Sequence, residues 1–253
     1  MKINKLMQLL RDNAGPQDKS APRIRAQAGA GCVDLYIYDV IDPYWGATAP
    51  MLVEALAAAA GQPICLHINS PGGDVFEARA MAAAIAAYPG AVEACVDGVC
   101  ASAATYLLLA ASKKCMVEGA LLMIHNSWTM AYGDKTALRQ TADLIEKIDG
   151  TIAADYMRQT NSSAEVIKAW MDAETWFTAA EALAAGFITE IEPNTQSGDA
   201  TEDATSNRWN LAAYANAPKP APRAPQSPPE DLVAKAATQL QANRNRMRLL
   251  CPA

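Results

Sequence analysis

Two short apolar runs, each closed by a glycine-containing turn and each followed at once by a helical pattern, constrain this chain more than any other feature. The first is Ile64-Cys65-Leu66-His67-Ile68, then Asn69-Ser70-Pro71-Gly72-Gly73, then a helix opening at Asp74. In that helix Asp74 and Glu77 are spaced as a capping box, and Ala78, Met81, Ile85 and Tyr88 recur at helical spacing until Pro89-Gly90. The second runs from Val92 to Asp97, turns at Gly98 and enters a helix from about Ser102 that carries Tyr106, Leu107 and Leu109. Upstream, Val33, Leu35, Ile37 and Val40 mark a first strand or hairpin, and Pro50 opens an alanine-rich helix that stops at Gly61. Further strands are expected at Cys115 to Val117 and Leu121 to Ile124. Strands and helices alternating at this spacing require parallel strands joined by right-handed crossovers, an α/β fold. Ligands in such sheets sit beyond the carboxyl ends of the strands, where both glycine turns fall.

With 253 residues the chain has room for one sizeable domain and appendages. From Lys135 to about Arg158, Leu138, Ala142, Ile145, Ile148 and Ile152 form an amphipathic pattern too long to lie wholly on one sheet, so this helix projects. A short helix, the segment Trp176-Phe177-Thr178, a helix over Ala179 to Ala185 ended by Gly186, and a strand from Phe187 to Ile191 complete the domain. Its expected span is 31–192, after a lead-in over 1–30 that contains a short helix. Six of the 15 prolines lie between Pro218 and Pro229, so 193–228 reads as a solvated linker. Residues 229–253 read as a helical tail, acidic at Glu230 and Asp231 and basic at Arg244, Arg246 and Arg248.

Several partners are excluded by composition. A net charge of -6 supplies no basic field for a phosphate backbone, so nucleic acid is not expected. The longest uncharged stretch, Ala55 to Gly73, is interrupted by Gly61, Pro63, Asn69 and Pro71, so no membrane span is expected. The apolar patch at Leu6 to Leu10 is broken by Gln8 and closed by Arg11, too short for a signal-peptide core, which places the protein in the cytoplasm. Six cysteines without a CxxC pair, and only His67 and His125, give no metal-ligand spacing. The cysteines are expected as buried reduced thiols, and neither a metal nor an organic cofactor is expected. No GxxxxGK[ST] loop is present, so any use of ATP would belong to a partner.

The residues able to do chemistry are few. Ser102, in Gly98-Val99-Cys100-Ala101-Ser102-Ala103-Ala104, stands among small residues at a strand-to-helix junction, where a hydroxyl is accessible and helix N–H groups face a developing oxyanion. A serine in that place is also a common helix N-cap. The paired glycines at 72 and 73 let a backbone N–H point into a cleft, or form a plain tight turn. His125 ends an apolar strand and is placed to act as a general base, whereas His67 sits inside a strand. Asp172 and Glu174, just before Trp176-Phe177, are the candidate carboxylates for fixing an imidazole tautomer.

In order and spacing, Ile68 to Gly73, Gly98 to Ala104, Met123-Ile124-His125 and Trp176 to Ala182 with Gly186 resemble the ClpP family of serine peptidases (S14). The resemblance covers about residues 31–192. It implies a ClpP/crotonase-like spiral of right-handed βαβ units, with residues 135–158 as the projecting handle helix. It also implies Ser102 as nucleophile, His125 as base, and backbone oxyanion donors at Gly73 and Ala103. Glu174 falls where the family has an aspartate, a departure that leaves Asp172 as the alternative acid. Gly72, Asn126, Ser127 and Trp128 match the substrate-binding segments, beside which a peptide lies as an added strand.

Within the family the chain looks most like phage and prophage head maturation proteases. The pointers are Asn126-Ser127-Trp128, the Asp172 to Phe177 segment, and the linker and tail. That resemblance implies polypeptide substrates such as capsid or scaffold precursors and a homo-oligomeric ring, heptameric and stacked in pairs through the handle, within the host cytoplasm or the prohead. The competing expectations are a housekeeping subunit that works with an ATP-dependent unfoldase, and a catalytically inactive ring-forming or acyl-CoA-binding relative on the same fold.

Overall fold

A computed structural model describes residues 5–13, 22–29, 31–160, 162–193 and 209–218. The first described elements are helix α1 (Lys5–Asn13) and strand β1 (Ile24–Ala28), which runs antiparallel to β2 (Val33–Ile37). Residues expected as a lead-in therefore supply an edge strand. Thr48 then caps α2 (Ala49–Ala58) through Met51 N, with Pro50 in the first turn where its missing N–H costs nothing.

Next come β3 (Ile64–Ser70), α3 (Val75–Ala87) and β4 (Val92–Ala101), with β2, β3 and β4 parallel and side by side. Leu35, Ile37, Leu66, Ile68, Ala94 and Val96 are buried at every second position, as a pleated strand requires. They face Leu52 of α2, Met81 of α3 and Leu107 of α4 (Thr105–Ala110) in the main core. Asp74 caps α3 by accepting from Glu77 N at 2.8 Å. The expected reciprocal half of that box is absent, because Glu77 Oε1 accepts instead from Ala49 N at 2.6 Å and so caps α2.

The turn expected at Gly98 is a correction: β4 runs through it to Ala101 and changes partner there. Glu93 to Val96 pair with β5 (Lys113–Val117), and Val99 to Ala101 pair with β6 (Leu121–Ile124). A Cβ at Gly98 would lie 2.9 Å from Asn69 Oδ1, which accepts from Val99 N. Gly98 thus serves close packing of the Asn69 side chain rather than chain reversal.

Helix α5 (Lys135–Thr160) has 26 residues, about 39 Å at 1.5 Å each, and its first buried side chain is Ile152. Its first half stands away from the sheet, as the pattern predicted, and leaves Leu138 and Leu144 exposed. Helix α6 (Ala164–Asp172) leads into β7 (Thr175–Thr178), which is antiparallel to β6, and α7 (Ala179–Ala184) precedes β8 (Glu190–Glu192) beside β5. The whole is the expected α/β spiral of parallel crossover units.

Two findings correct the sequence reading. Cys32 and Cys65, expected as thiols, form a disulfide with a Cα separation of 6.0 Å, while Cys95, Cys100 and Cys115 are free and buried. Residues 209–218, expected within the linker, pack on the domain. With α1 they cover Val40, Val99, Ala101 and Met123 in a second apolar cluster. The tail expected over 229–253 lies outside the described residues.

Candidate active site

Ser102 stands at the corner where β4 becomes helix, and it takes φ 55°, a left-handed value that strains any residue bearing a Cβ. The corner is crowded. A Cβ on Gly72 would sit 2.4 Å from Ala101 O and 3.1 Å from Ala103 N, so the Pro71-Gly72-Gly73 turn can close on the serine only through glycine. Gly72 N donates to Ser70 Oγ, and Ile41 clamps the turn by donating to Gly72 O and accepting from Asp74 N. Among the described residues no acceptor takes the Gly73 N–H in this clamp. Ala103 lies in the first turn of the helix, where backbone N–H groups have no intrahelical acceptor. The two expected oxyanion donors therefore flank one serine.

His125 follows β6, and the pairing of Ala101 with Met123 brings the carboxyl ends of β4 and β6 together. His125 Nε2 lies 2.7 Å from Ser102 Oγ. With its proton on Nδ1, the imidazole accepts from the hydroxyl at Nε2, the arrangement a general base needs. Burial first, and the charge of Lys5 second, hold its pKa down at about 3, so the ring is neutral and able to take a proton. The imidazole is 8% exposed and packs edge-on against Trp128 and Tyr214, with ring centroids 4.6 and 5.3 Å away.

The carboxylates are placed differently from the expectation. Strand β7 pairs Trp176 with Met123 and Thr175 with Ile124, and the ladder ends there, one residue short of Glu174 and His125. Glu174 is buried at 9% exposure, but φ 49° turns it from the ladder, and its two oxygens accept from Ala215 N at 2.9 Å and Asn216 N at 2.6 Å. Asp172 is half exposed and accepts from Asn126 Nδ2 at 2.8 Å and from Lys168. Neither acid therefore orients His125 in this arrangement: one is bound to backbone amides and the other to surface partners.

Of the remaining sequence-picked residues, Gly73, Ser127 and Trp128 line the cleft, whereas Asn126 is engaged with Asp172 and Gly72 lies in the turn behind Gly73. A cavity of about 250 Å³ lies between the Ser102–His125 pair, Gly73, Trp128, and Leu144 and Ile148 of α5. Ser127 N donates to Asp149 Oδ1 at 2.7 Å, which ties the segment after the base to the handle. Ser127 Oγ and Trp176 Nε1 are buried without a partner among the described residues, a placement that costs about 1–3 kcal/mol each. His67 is elsewhere. It stacks on Tyr36 and sits 3.0 Å from Asp97, whose hydrogen bond and charge outweigh burial and raise its pKa.

Sequence reasoning missed Tyr214, Trp209 and Leu9. Tyr214 and Leu9 line the same cavity, and Trp209 Nε1 donates to Asn69 Oδ1 at 2.9 Å beneath it. The available signal was Trp209-Asn210-Leu211 and Tyr214, large apolar residues in a stretch otherwise read as linker. It also missed Cys95, Cys115 and Glu192, which neighbouring strands gather within 4.8 Å and which share the Cys115–Glu192 hydrogen bond.

Residues 46–195 match the family model described as Clp protease. The ATP-dependent Clp protease proteolytic subunit 2 of Thermobifida fusca is 31% identical over 134 residues, 52% of this chain and 66% of its own length. The proteolytic subunit of Bacteroides fragilis is 31% identical over 138 residues, 52% of this chain and 64% of its own. Subunit 2 of Bifidobacterium longum is 30% identical over 143 residues, 54% and 69% respectively. The chain thus spans slightly less than two thirds of the first two relatives.

Proposed function

The chain belongs to the Clp protease family, and from that premise we propose that it is a serine-type endopeptidase. The observation that carries this reading is the 2.7 Å contact between Ser102 Oγ and a neutral His125 Nε2 at the carboxyl ends of paired strands. In the proposed reaction His125 takes the Ser102 proton as Oγ attacks a peptide carbonyl. The oxyanion is held by the N–H groups of Gly73 and Ala103. The imidazolium then gives its proton to the leaving amine, and water, deprotonated by the same imidazole, frees the acyl group and restores Ser102. Glu174, which like His125 lies just beyond the last β6–β7 rung, is the acid we assign to the imidazolium, with Asp172 the alternative. A peptide lies in the cleft beside Gly72, Asn126, Ser127 and Trp128. No step of this sequence requires a metal or organic cofactor.

A fluorophosphonate tests the reading: Ser102 Oγ bonds to phosphorus as fluoride leaves and His125 receives the proton. The account expects an adduct on Ser102, and its loss in Ser102→Ala and His125→Ala. Turnover in either variant should fall by about 10⁶-fold with the fold intact. Wild-type hydrolysis by Ser102→Ala overturns the mechanism.

Two finer readings follow the same chemistry. The head maturation reading is supported by the 61 residues from 193 onward, by Asn126-Ser127-Trp128, and by the Asp172 to Phe177 segment. It makes capsid or scaffold precursors the substrate. The second, a subunit that receives chains from an ATP-driven unfoldase, is favoured by the names of the relatives. In both we infer a ring of identical subunits, paired through the handle, whose exposed Leu138 and Leu144 call for a partner surface. Degradation of a folded, tagged protein only when an unfoldase and ATP are added would select the second; cleavage of capsid precursor by the protein alone would select the first.

A further inference from the structure

We infer that residues 209–218 are an intramolecular cap that holds the Ser102–His125 site in a latent state by seating Tyr214 against the base and diverting Glu174 from it. This deepens the peptidase reading and rests on it. The cap is attached at points that bear on the chemistry. Tyr214 donates to Pro71 O at 2.6 Å, in the turn that presents Gly73. Its ring packs edge-on against His125 and Trp176 and tilts 4.9 Å from Trp128. The next two residues, Ala215 and Asn216, use their N–H groups to occupy both oxygens of Glu174, and Asn216 Nδ2 donates to Ala173 O at 2.7 Å.

The consequence is specific. Extended by one residue, the β6–β7 register would bring Glu174 opposite His125, yet its carboxylate is spent on the cap backbone and the imidazole has no counter-ion among the described residues. A neutral buried ring can accept a proton, but the imidazolium formed in the reaction would have no acid to stabilise it. The segment is also not bound as a substrate strand. It turns on itself, with Tyr214 N donating to Leu211 O, rather than running as an extended strand through the cleft. It acts as a plug. Its hold is built from a few anchors: Trp209 on Asn69, the interlocked Asn13 and Asn210, and Tyr214. Among the described residues Ser127 Oγ and Trp176 Nε1 find no partner in the closed packing. Such a cap opens as a unit without unfolding the domain.

The test uses the full chain. Tyr214→Ala removes the ring from His125, and Asn216→Pro removes one amide from Glu174 while leaving that ring in place. With the open form a minor population in the wild type, each variant should be labelled at Ser102 by a fluorophosphonate about tenfold faster or more. A synthetic peptide of residues 209–218, added to Tyr214→Ala, should slow labelling again. Unchanged rates in both variants, with thermal transitions like the wild type, overturn the cap. Absence of any Ser102 adduct in every variant overturns the peptidase reading instead, so the two failures are distinct. Should either substitution impair folding, hydrogen exchange on the wild-type chain decides. A bulky peptidyl phosphonate on Ser102 should accelerate exchange at Ala215 and Asn216, and no acceleration overturns the proposal.

Discussion

The molecule has two apolar clusters, and they are built by different rules. The main core is drawn from alternating strand positions and helix stripes between Ile24 and Ile188. The second cluster is assembled from distant parts of the chain: Leu9 and Leu10 of α1, Trp209 to Tyr214, and the far side of β4 and β6 at Val99, Ala101 and Met123. The first cluster fixes where Ser102 and His125 stand, since both follow strands whose spacing it sets. The second lies over that pair and governs what reaches it. Strength of packing and control of access are thus assigned to separate bodies of side chains, and they should respond differently to the same kind of damage.

The sharpest break in that comparison is a matched truncation. Leu107→Ala in the main core should lower global stability by about 2–5 kcal/mol in urea denaturation. Leu211→Ala in the second cluster should leave the urea midpoint nearly unchanged and speed hydrogen exchange in 209–218, because that segment opens locally before the domain does. Equal losses of global stability would make the two clusters one cooperative unit and end the distinction.

A second, smaller effect is in acid. Burial lowers the His125 pKa from 6.5 to about 3, so between those values the unfolded chain binds a proton that the folded chain refuses. Stability from this group is whole above pH 6.5 and declines as pH falls toward 3, by up to about 1.4 kcal/mol per pH unit. Tyr214→Ala opens the cover on the ring and should flatten that decline, as measured by denaturation at stepped pH. A slope indifferent to Tyr214 would mean that other groups keep His125 dry.

The smallest effect concerns α1. Lys5 Nζ lies 5.1 Å over the Trp128 ring, and its charge helps depress the pKa of His125. Lys5→Met should cost no more than about 1 kcal/mol of local stability. It should also move the acid limb of Ser102 labelling upward, since less positive charge then opposes protonation. A limb moved downward would reverse the assigned electrostatics.

How much was legible in the sequence follows the same division. The main core could be read because strands repeat every second residue and helices every third or fourth, and because Asn69 to Gly73 and Ser102 mark the strand ends. His125 followed from its strand. Gly98 misled, since a glycine that makes room for a neighbouring side chain looks in sequence like one that turns the chain. The lead-in strand β1 was hidden by its polar residues Arg25 and Gln27, exposed at the sheet edge. The second cluster has no period to detect: it joins residues nearly 200 positions apart, as in the Asn13–Asn210 pair. Glu174 could be picked out by its place before Trp176-Phe177, but what its carboxylate binds depends on backbone amides 41 and 42 residues away.

The account depends most on the reactivity of one hydroxyl, and mass mapping of a fluorophosphonate adduct on the intact chain and on Tyr214→Ala measures it directly. The prediction is phosphonylation confined to Ser102, faster in Tyr214→Ala and lost when His125 is replaced by alanine. A folded protein that takes no label at Ser102 in either form, or takes it equally well without His125, would contradict it.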